Sequence, residues 1–287
     1  MRRRRALTTV ALTAALPLLL ATAGYGGDAA AGTSSAPAQA TLPLVTAGVL
    51  TIGTDPTYPP MEYQENGTYA GVNVEILTDV ARRLGLKAQF QDVSFGDLRP
   101  AAVSHSIDVI GASMTDKADR QKDVDFVDVF YAGELVLAGP GDHSAWQQPE
   151  NWCGLRMAAA PDTTEADIVT GQSALCSAAG KPAISLVEVD YLKSADEIAA
   201  GRADMGVEGL PAGAKMVADS GGKFQAVGKP WQSQPWGYGF AKDRVALRDA
   251  VQHALQDAIA DGTYDAILEK YGVTDGALRT TAINGGA

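Results

Sequence analysis

The sequence predicts an α/β fold of two lobes, with parallel sheets flanked by helices. Short β-type runs alternate with segments in which apolar residues recur at helical spacing, and this alternation is typical of parallel sheets covered by helices. The alternation runs twice, first from residue 49 to 112 and again from 155 to 207. Because one domain usually has about 100–200 residues, two such units in a chain of 287 residues indicate two lobes.

The first unit begins with a β run at 49–53, which ends in a turn-rich stretch of Asp, Thr, Tyr and three prolines. Leu77, Val80 and Leu84 then recur at helical spacing, and Gly85 is expected to end that helix. The remaining elements predicted for this unit are a strand at 88–93, a helix at 98–104, a strand at 107–112 and the start of a helix at 115–122.

The second unit follows the same order. Thr164 is expected to begin its first helix, and two apolar-faced helices are expected near the end of the chain, the last of them stopping at Gly272. The predicted elements are strands at 155–160, 184–189 and 203–207, a helix at 194–200, and terminal helices at 247–259 and 264–271.

The first 23 residues are typical of an export signal. Arginines at 2–5 precede an apolar run at 6–20 and a small-x-small sequence at 21–23, although an uncleaved signal anchor is the alternative. Residues 24–47 have the composition of a flexible tether. Tyr25 stands where a bacterial lipoprotein site needs Cys, so no lipid anchor is expected. We predict an exported protein, either periplasmic or at the extracellular face of the cell membrane.

The net charge and the absence of certain motifs exclude several classes of function. Removal of residues 1–23 takes away four arginines and no acidic residue, which changes the net charge from −11 to −15. No basic cluster remains, so nucleic acid is not an expected partner. The chain has no nucleophile-elbow, zinc-protease, P-loop or dinucleotide-binding motif, and its three histidines lack metal-ligand spacing. We therefore expect no enzyme, no cofactor and no metal site.

Six short motifs occur in the order found in one family of proteins. Together they resemble the polar amino-acid solute-binding proteins of bacterial ABC transporters, family 3, over residues 48–275. The motifs are GTDPTYPPMEY at 53–63, GVNVE at 71–75, VSFGDLRPA at 93–101, ASMT at 112–115 followed by Arg120 and VDF at 124–126, GRAD at 201–204, and DGTY at 261–264.

This resemblance implies a type II periplasmic-binding-protein-like fold with a two-strand hinge. Residues 48–136 and 238–287 would form a discontinuous lobe 1, and 137–237 would form lobe 2. A monomer of this kind binds an amino acid or related small zwitterion in the cleft and delivers it to ABC-transporter permease subunits. Two alternatives remain open: a dehydratase-like enzyme on the same fold, and the ligand-binding module of a sensor.

The resemblance also assigns roles around the ligand carboxylate. Arg120 resembles the clamp for this group, and the planar fork of a guanidinium suits it chemically; the alternative is a solvated surface charge. Ser113 and Thr115 resemble the loop that hydrogen-bonds the ligand, although helix capping is the other reading of both. Thr164 resembles the lobe 2 residue that completes the site on closure.

Three further residues resemble the part of the site that holds the ligand side chain. Tyr58 and Phe95 match two aromatic walls, with core packing as the alternative for Phe95. Asp55 matches an acidic residue that meets a polar ligand end, and the alternative is a local turn before Pro56.

The sequence departs from the family at three positions of the site. Lys117 replaces a Thr, Asp162 replaces a Gly, and Gly209 stands where an Asp usually pairs with the ligand ammonium. The neighbouring Glu208 could substitute for that Asp, or it could point to the opposite face, because neighbours in a strand alternate sides.

The chain has only two cysteines, Cys153 and Cys176. An exported protein enters a compartment in which disulfides persist, so we predict a bond between them. The pair also resembles a subset of the family with Cys before this strand and after the next helix. Two buried free thiols are the alternative.

Overall fold

A computed structural model describes residues 42–286 of the chain. The predicted export signal at 1–23, Tyr25 and the tether as far as residue 41 lie outside the described residues. Within 42–286, no helix is both long enough and apolar enough to cross a membrane. The last residues of the predicted tether contact the folded body: Val45 N donates a hydrogen bond to Asp108 Oδ1 over 2.7 Å, and Arg244 donates to the Pro43 carbonyl.

The first part of the chain builds lobe 1 around three parallel strands in the order β5-β1-β6. A small antiparallel sheet of β2, β3 and β4 follows the first strand, and the sequence reasoning missed it. The elements of this part are β1 (Val49–Thr54), β2 (Thr57–Tyr58), β3 (Glu62–Glu65), β4 (Thr68–Ala70), α1 (Val72–Arg83), β5 (Lys87–Asp92), α2 (Leu98–Val103) and β6 (Val109–Thr115).

Two long antiparallel strands connect the lobes. The strand β7 (Val124–Ala138) pairs along its first part with β12 (Trp231–Ala241) and along its last five residues with β10 (Met205–Gly209). Gly133 lies at a close approach of β7 and β12, since a Cβ there would be 2.7 Å from the carbonyl oxygen of Trp231. The register between the two strands also shifts between Trp231 and Gln234. The crossing therefore falls near Gly133 and the start of β12.

Lobe 2 is built around the strands β10, β8 and β9, which are parallel to one another. Helix α3 begins at Thr164 as predicted, and Thr163 Oγ1 caps it by accepting a hydrogen bond from the amide of Ala166 over 3.2 Å. The elements are β8 (Arg156–Ala159), α3 (Thr164–Ala178), β9 (Ser185–Glu188), α4 (Ser194–Ala199), β10 (Met205–Gly209), α5 (Leu210–Asp219) and β11 (Gln225–Ala226).

The chain returns to lobe 1 through β12 and ends in two helices. The helices α6 (Val245–Ala260) and α7 (Thr263–Tyr271) pack on α1, and Gly272 ends α7 in a left-handed conformation, as predicted. The apolar cores follow the same division. One cluster fills the space between the lobe 1 sheet and these helices, a second lies beneath α2, and a third lies in lobe 2 around Met157, Val169 and Met205.

One predicted element of lobe 1 is wrong. Residues 115–122 were expected to begin a helix, but Thr115 is the last residue of β6, and Arg120 only opens a short 3₁₀ turn. Thr115 pairs with Trp236 of β12, and the amide of Asp116 donates to the carbonyl of Pro235 over 2.8 Å. Strand pairing therefore holds this segment extended where local propensity favoured a helix.

Candidate functional site

The predicted site lies where the two lobes meet, beyond the carboxyl ends of β1 and β6 and beside the start of α3. All eight side chains predicted to contact a ligand are buried there or close by. Hydrogen bonds and stacked rings cross from one lobe to the other, so the structure is closed. The eight residues are Asp55, Tyr58, Phe95, Ser113, Thr115, Arg120, Thr164 and Glu208.

Arg120 occupies the centre of the contact between the lobes, with 2% of its surface exposed. Its Nη1 donates to the carbonyl of Thr115 in lobe 1 over 3.1 Å, and its Nη2 donates to the carbonyl of Asp162 in lobe 2 over 2.9 Å. The guanidinium carbon lies 5.6 Å from the centre of the Phe95 ring. No carboxylate of residues 42–286 lies within ion-pair distance of it. A buried cation without an ionic partner is a strong site for an anionic group of a ligand.

The residues around the start of α3 complete this contact. Thr164 Oγ1 donates to Thr115 Oγ1 over 2.9 Å, which brings the two predicted hydroxyls together across the lobes. Asp162 adopts φ 61°, a left-handed conformation that Asp tolerates better than most residues. Its side chain is exposed. The carboxylate that replaces a glycine here therefore points to solvent and does not enter the Arg120 site.

The aromatic walls hold a side chain of the protein itself. Tyr191, in the loop between β9 and α4, stacks on Tyr58 with ring centres 5.2 Å apart and on Phe95 with centres 5.0 Å apart. Trp236 meets Tyr58 edge-on at 6.0 Å. Sequence reasoning named Tyr58 and Phe95 as walls for a ligand side chain but missed Tyr191. The available signal was an aromatic residue in a loop after the carboxyl end of a parallel strand, where ligands bind in such sheets.

Ser113 donates hydrogen bonds to a buried carboxyl group of lobe 1. Glu62 accepts hydrogen bonds from the Ser113 amide over 2.9 Å, from the Ser113 hydroxyl over 3.0 Å and from Asn73 Nδ2 over 2.6 Å. The Tyr238 hydroxyl in turn donates to Asn73 Oδ1. Burial raises the pKa of Glu62 to about 8, although these hydrogen bonds act in the opposite direction. The structure thus ties Ser113 to Glu62, which the sequence reasoning did not single out.

The Asp55 carboxylate accepts hydrogen bonds from its own loop and from the segment that follows β5. Its Oδ2 accepts the amide hydrogen bond of Phe95 over 2.9 Å, and its Oδ1 accepts from the Thr57 hydroxyl over 2.7 Å. Both carboxylate oxygens therefore have protein partners. The residue fixes the position of the Phe95 wall, which fits the local-turn reading better than a direct ligand contact.

Glu208 and Gly209 face opposite sides of β10. Glu208 Oε1 accepts a hydrogen bond from the Ser194 hydroxyl at the start of α4 over 2.5 Å, and burial raises the pKa of Glu208 to about 8. Gly209 faces the other way, and a Cβ at this position would lie 2.0 Å from the Tyr58 hydroxyl oxygen. Close approach of Tyr58 therefore requires glycine at 209, and the carboxylate of Glu208 does not take the vacated place.

Two acidic residues that sequence reasoning missed lie on the side of the sheet that Gly209 faces. Glu134 of β7 is directly opposite Gly209 in the register, and its exposed fraction is 3%. Glu165, in the first turn of α3, is also buried. Burial raises the pKa of both side chains. The neighbouring carboxylates of Glu165 and Glu208 raise the pKa of Glu134 further, whereas Arg120 lowers it. Only the strand register could have revealed Glu134.

Among residues 42–286, no group of three or more His, Cys, Asp or Glu side chains has a geometry that could hold a metal ion. The predicted disulfide is confirmed: Cys153 and Cys176 are bonded, with Cα atoms 5.5 Å apart. The bond joins the segment before β8 to the last turns of α3, about 18 Å along the helix from Thr164.

Comparison with known proteins gives one family. The sequence model of the bacterial extracellular solute-binding proteins, family 3, matches residues 50–274. The arginine-binding protein ArgT of Corynebacterium glutamicum is 31% identical over 251 residues, which cover 86% of this chain and 82% of that protein. The L-cystine-binding protein TcyA of Bacillus subtilis is 27% identical over 255 residues, which cover 88% of this chain and 91% of that protein.

Solved structures agree with the sequence comparisons. A mutant of the arginine-binding protein ArgBP from T. maritima superposes with a TM-score of 0.71 at 27% identity, covering 78% of this chain and 95% of that one. An ancestral amino acid-binding protein, a precursor of cyclohexadienyl dehydratase, superposes with a TM-score of 0.70 at 24% identity and the same coverage. The first likeness confirms the two-lobed fold of the binding proteins, and the second, at its lower identity, supports the fold alone.

Proposed function

The chain belongs to the bacterial extracellular solute-binding proteins, family 3, and on that basis we propose that it is the solute-binding component of an ABC importer. Its ligand is an amino acid or a related small zwitterion, bound between the two lobes. The relatives are named as binding proteins for arginine and L-cystine, which share an α-carboxylate and an α-ammonium group. That shared part of the ligand is what this chain recognises.

The observation that carries this proposal is the environment of Arg120. The side chain is almost wholly buried, bonds to a carbonyl of each lobe and has no acidic partner within residues 42–286. Burying an uncompensated charge is costly. A ligand carboxylate between the lobes would supply the missing partner, and the same contact would favour the closed conformation, since the open form could not offer both carbonyl contacts.

The remaining parts of the proposal follow from the family and the topology. The lobes meet at β7 and β12, with lobe 1 comprising 48–136 and 238–287 and lobe 2 comprising 137–237. The protein is exported, acts as a monomer and passes its ligand to permease subunits in the membrane. The net charge of −15 after removal of residues 1–23 suits a freely diffusing protein.

A ligand screen tests the proposal. The purified protein without residues 1–23 is heated with each of the common L-amino acids, with polyamines, with ectoine-like solutes and with organic acids, and binders are measured by calorimetry. We expect one zwitterion per chain with an affinity near micromolar, equivalent to about −8 kcal/mol. If no solute in the panel raises the melting temperature, the proposed function is wrong.

The buried pair Glu134 and Glu165 favours one second candidate, an enzyme of the dehydratase type. Carboxyl groups with raised pKa values are suited to proton transfer in a closed cleft. The two candidates differ in one measurement. A binding protein returns its ligand unchanged after long incubation, whereas an enzyme converts it, and NMR of the solution distinguishes the two results.

A further inference from the structure

We propose that Glu134 binds the ammonium group of the ligand, on the face of the sheet where Gly209 lacks a side chain. This inference rests on the proposed function, because it assumes that a zwitterion enters the cleft. It adds a specificity-determining residue, on the strand β7, to the Arg120 site.

The first support is an unsatisfied acceptor. Glu134 is 3% exposed, and its Oε2 atom is buried without any hydrogen-bond partner among residues 42–286. Buried polar atoms nearly always have hydrogen-bond partners, and the free-energy cost of lacking one is especially high for a carboxylate oxygen. The indole Nε1 of Trp236 on the neighbouring strand is buried and also has no partner within 42–286. Two strands that border the cleft thus carry polar atoms that the described part of the chain does not satisfy.

The second support is the direction in which Glu134 faces. Glu134 and Gly209 are directly opposite in an antiparallel pair, and side chains so placed lie on the same face of a sheet. Gly209 has Tyr58 and Trp236 close to the place that a Cβ would take. Glu134 therefore faces the aromatic side of the cleft. Glu208 belongs to the opposite face, where Ser194 satisfies it.

The third support is the balance of charge around Glu134. Its acidic neighbours Glu165 and Glu208 raise its pKa, and Arg120 is the cation that acts against them. Arg120 itself forms no ion pair within residues 42–286, and its hydrogen bonds go to the carbonyls of Thr115 and Asp162. A zwitterion resolves both problems: its carboxylate meets Arg120, and its ammonium, with three N–H donors, meets Glu134 and Glu165.

The test compares ligands with and without an ammonium group. The probes are L-arginine, L-histidine, L-glutamine and L-cystine, each beside the des-amino carboxylic acid of the same skeleton. Titration calorimetry is run on the wild-type protein, on Glu134→Gln and on two controls. Glu188→Gln removes an exposed carboxylate from lobe 2, and Glu208→Gln removes the buried carboxylate on the opposite face of β10.

We expect Glu134→Gln to weaken binding of the amino acid about tenfold or more while changing the affinity for its des-amino analogue much less. Both controls should keep the wild-type preference for the amino acid. If the role of Glu134 is purely structural, Glu134→Gln will weaken the binding of both ligands alike, and that result would overturn the inference. A loss of the preference for the amino acid in Glu208→Gln would overturn it as well. Circular dichroism verifies that each variant is folded. If the wild-type protein binds no solute of the whole screening panel, the proposed function fails, which is a different outcome.

Discussion

Arg120 joins the two lobes through main-chain carbonyls and not through an acidic side chain. Because carbonyl oxygens satisfy part of the guanidinium but leave its charge uncompensated, the residue both stabilises closure and keeps its affinity for an anion. The nearby Phe95 ring supports the same cation from its face. One side chain therefore joins the lobes and keeps a charge available for the ligand carboxylate that we propose.

Replacement of Arg120 by Ala should lower the affinity for an amino acid by about tenfold or more, because a ligand carboxylate would be left partly buried without a partner. The change should leave the fold intact. Calorimetric titration measures the affinity, with Arg202→Ala as a control at an exposed arginine that pairs with Glu197 on the surface. An Arg120→Ala variant that binds as tightly as the wild type would show that Arg120 does not contact the ligand.

The residue types of the site could be read from the sequence, but their orientations could not. Five of the predicted residues converge where the two lobes meet, and they were predictable because each occupies a position that resembles one in the family. They are Tyr58, Phe95, Thr115, Arg120 and Thr164. Ser113 and Asp55 were expected to face a ligand, yet protein groups already satisfy them. Glu208 was also expected to face a ligand, but a protein group already satisfies it. The face of β10 on which it lies depends on the strand register. Tyr191 and Glu134 were missed because neither lies in a motif, and their positions depend on contacts distant in sequence.

At the level of elements, the alternation of strands and helices was predictable wherever an element buries one regular apolar face. The strands β1 and β5, and the helices α3, α6 and α7, all fall within a few residues of their expected positions. The small sheet β2-β3-β4 was missed because its strands are short and follow a proline-rich turn. Helix α5 was missed as well, since Pro211 and Gly213 weaken its helical signal.

Within lobe 2, the disulfide ties the start of β8 to the end of α3. Replacing both Cys153 and Cys176 by Ser should lower the free energy of unfolding by roughly 3 kcal/mol, because the cross-link restricts a loop of this length in the unfolded chain. Ligand affinity should stay the same, since the bond is remote from the cleft. Chemical denaturation and titration of the double variant measure the two quantities, and a large loss of affinity would contradict the assignment of a purely structural role.

On the scale of the whole molecule, residues 42–286 contain several deeply buried carboxyl groups. Glu62, Glu134, Glu165 and Glu208 are all almost inaccessible, and burial raises the pKa of each of them. Such groups are protonated more readily in the folded protein than in the unfolded chain. Proton uptake and folding are therefore linked in this protein over the neutral range.

The stability of the protein should accordingly fall as the pH rises. The pKa values of Glu62 and Glu208 are about 8 in the folded state, and an unfolded Glu ionises near pH 4.3. Their stabilising contribution is complete below the unfolded pKa and is lost as the pH rises through the folded value, by about 1.4 kcal/mol per pH unit for each group.

Denaturant unfolding between about pH 5 and pH 8 measures this slope. The variant Glu208→Gln should show a smaller slope than the wild type, because an amide does not titrate and its oxygen can still accept the hydrogen bond of Ser194. Equal slopes in the two proteins would show that Glu208 does not contribute to the pH dependence.

The stack of Tyr191 on Tyr58 and Phe95 puts a side chain of the protein where the family resemblance places the ligand side chain. A ligand side chain that needs the aromatic walls must first displace the phenol ring, so the free energy of that stack is subtracted from the observed affinity. The observed dissociation constant then exceeds the intrinsic one by the reciprocal of the fraction of molecules in which the walls are vacant. A solute whose side chain is too short to need the aromatic walls would not face this competition. Tyr191 would thus rank ligands by side-chain size before any direct contact distinguishes them.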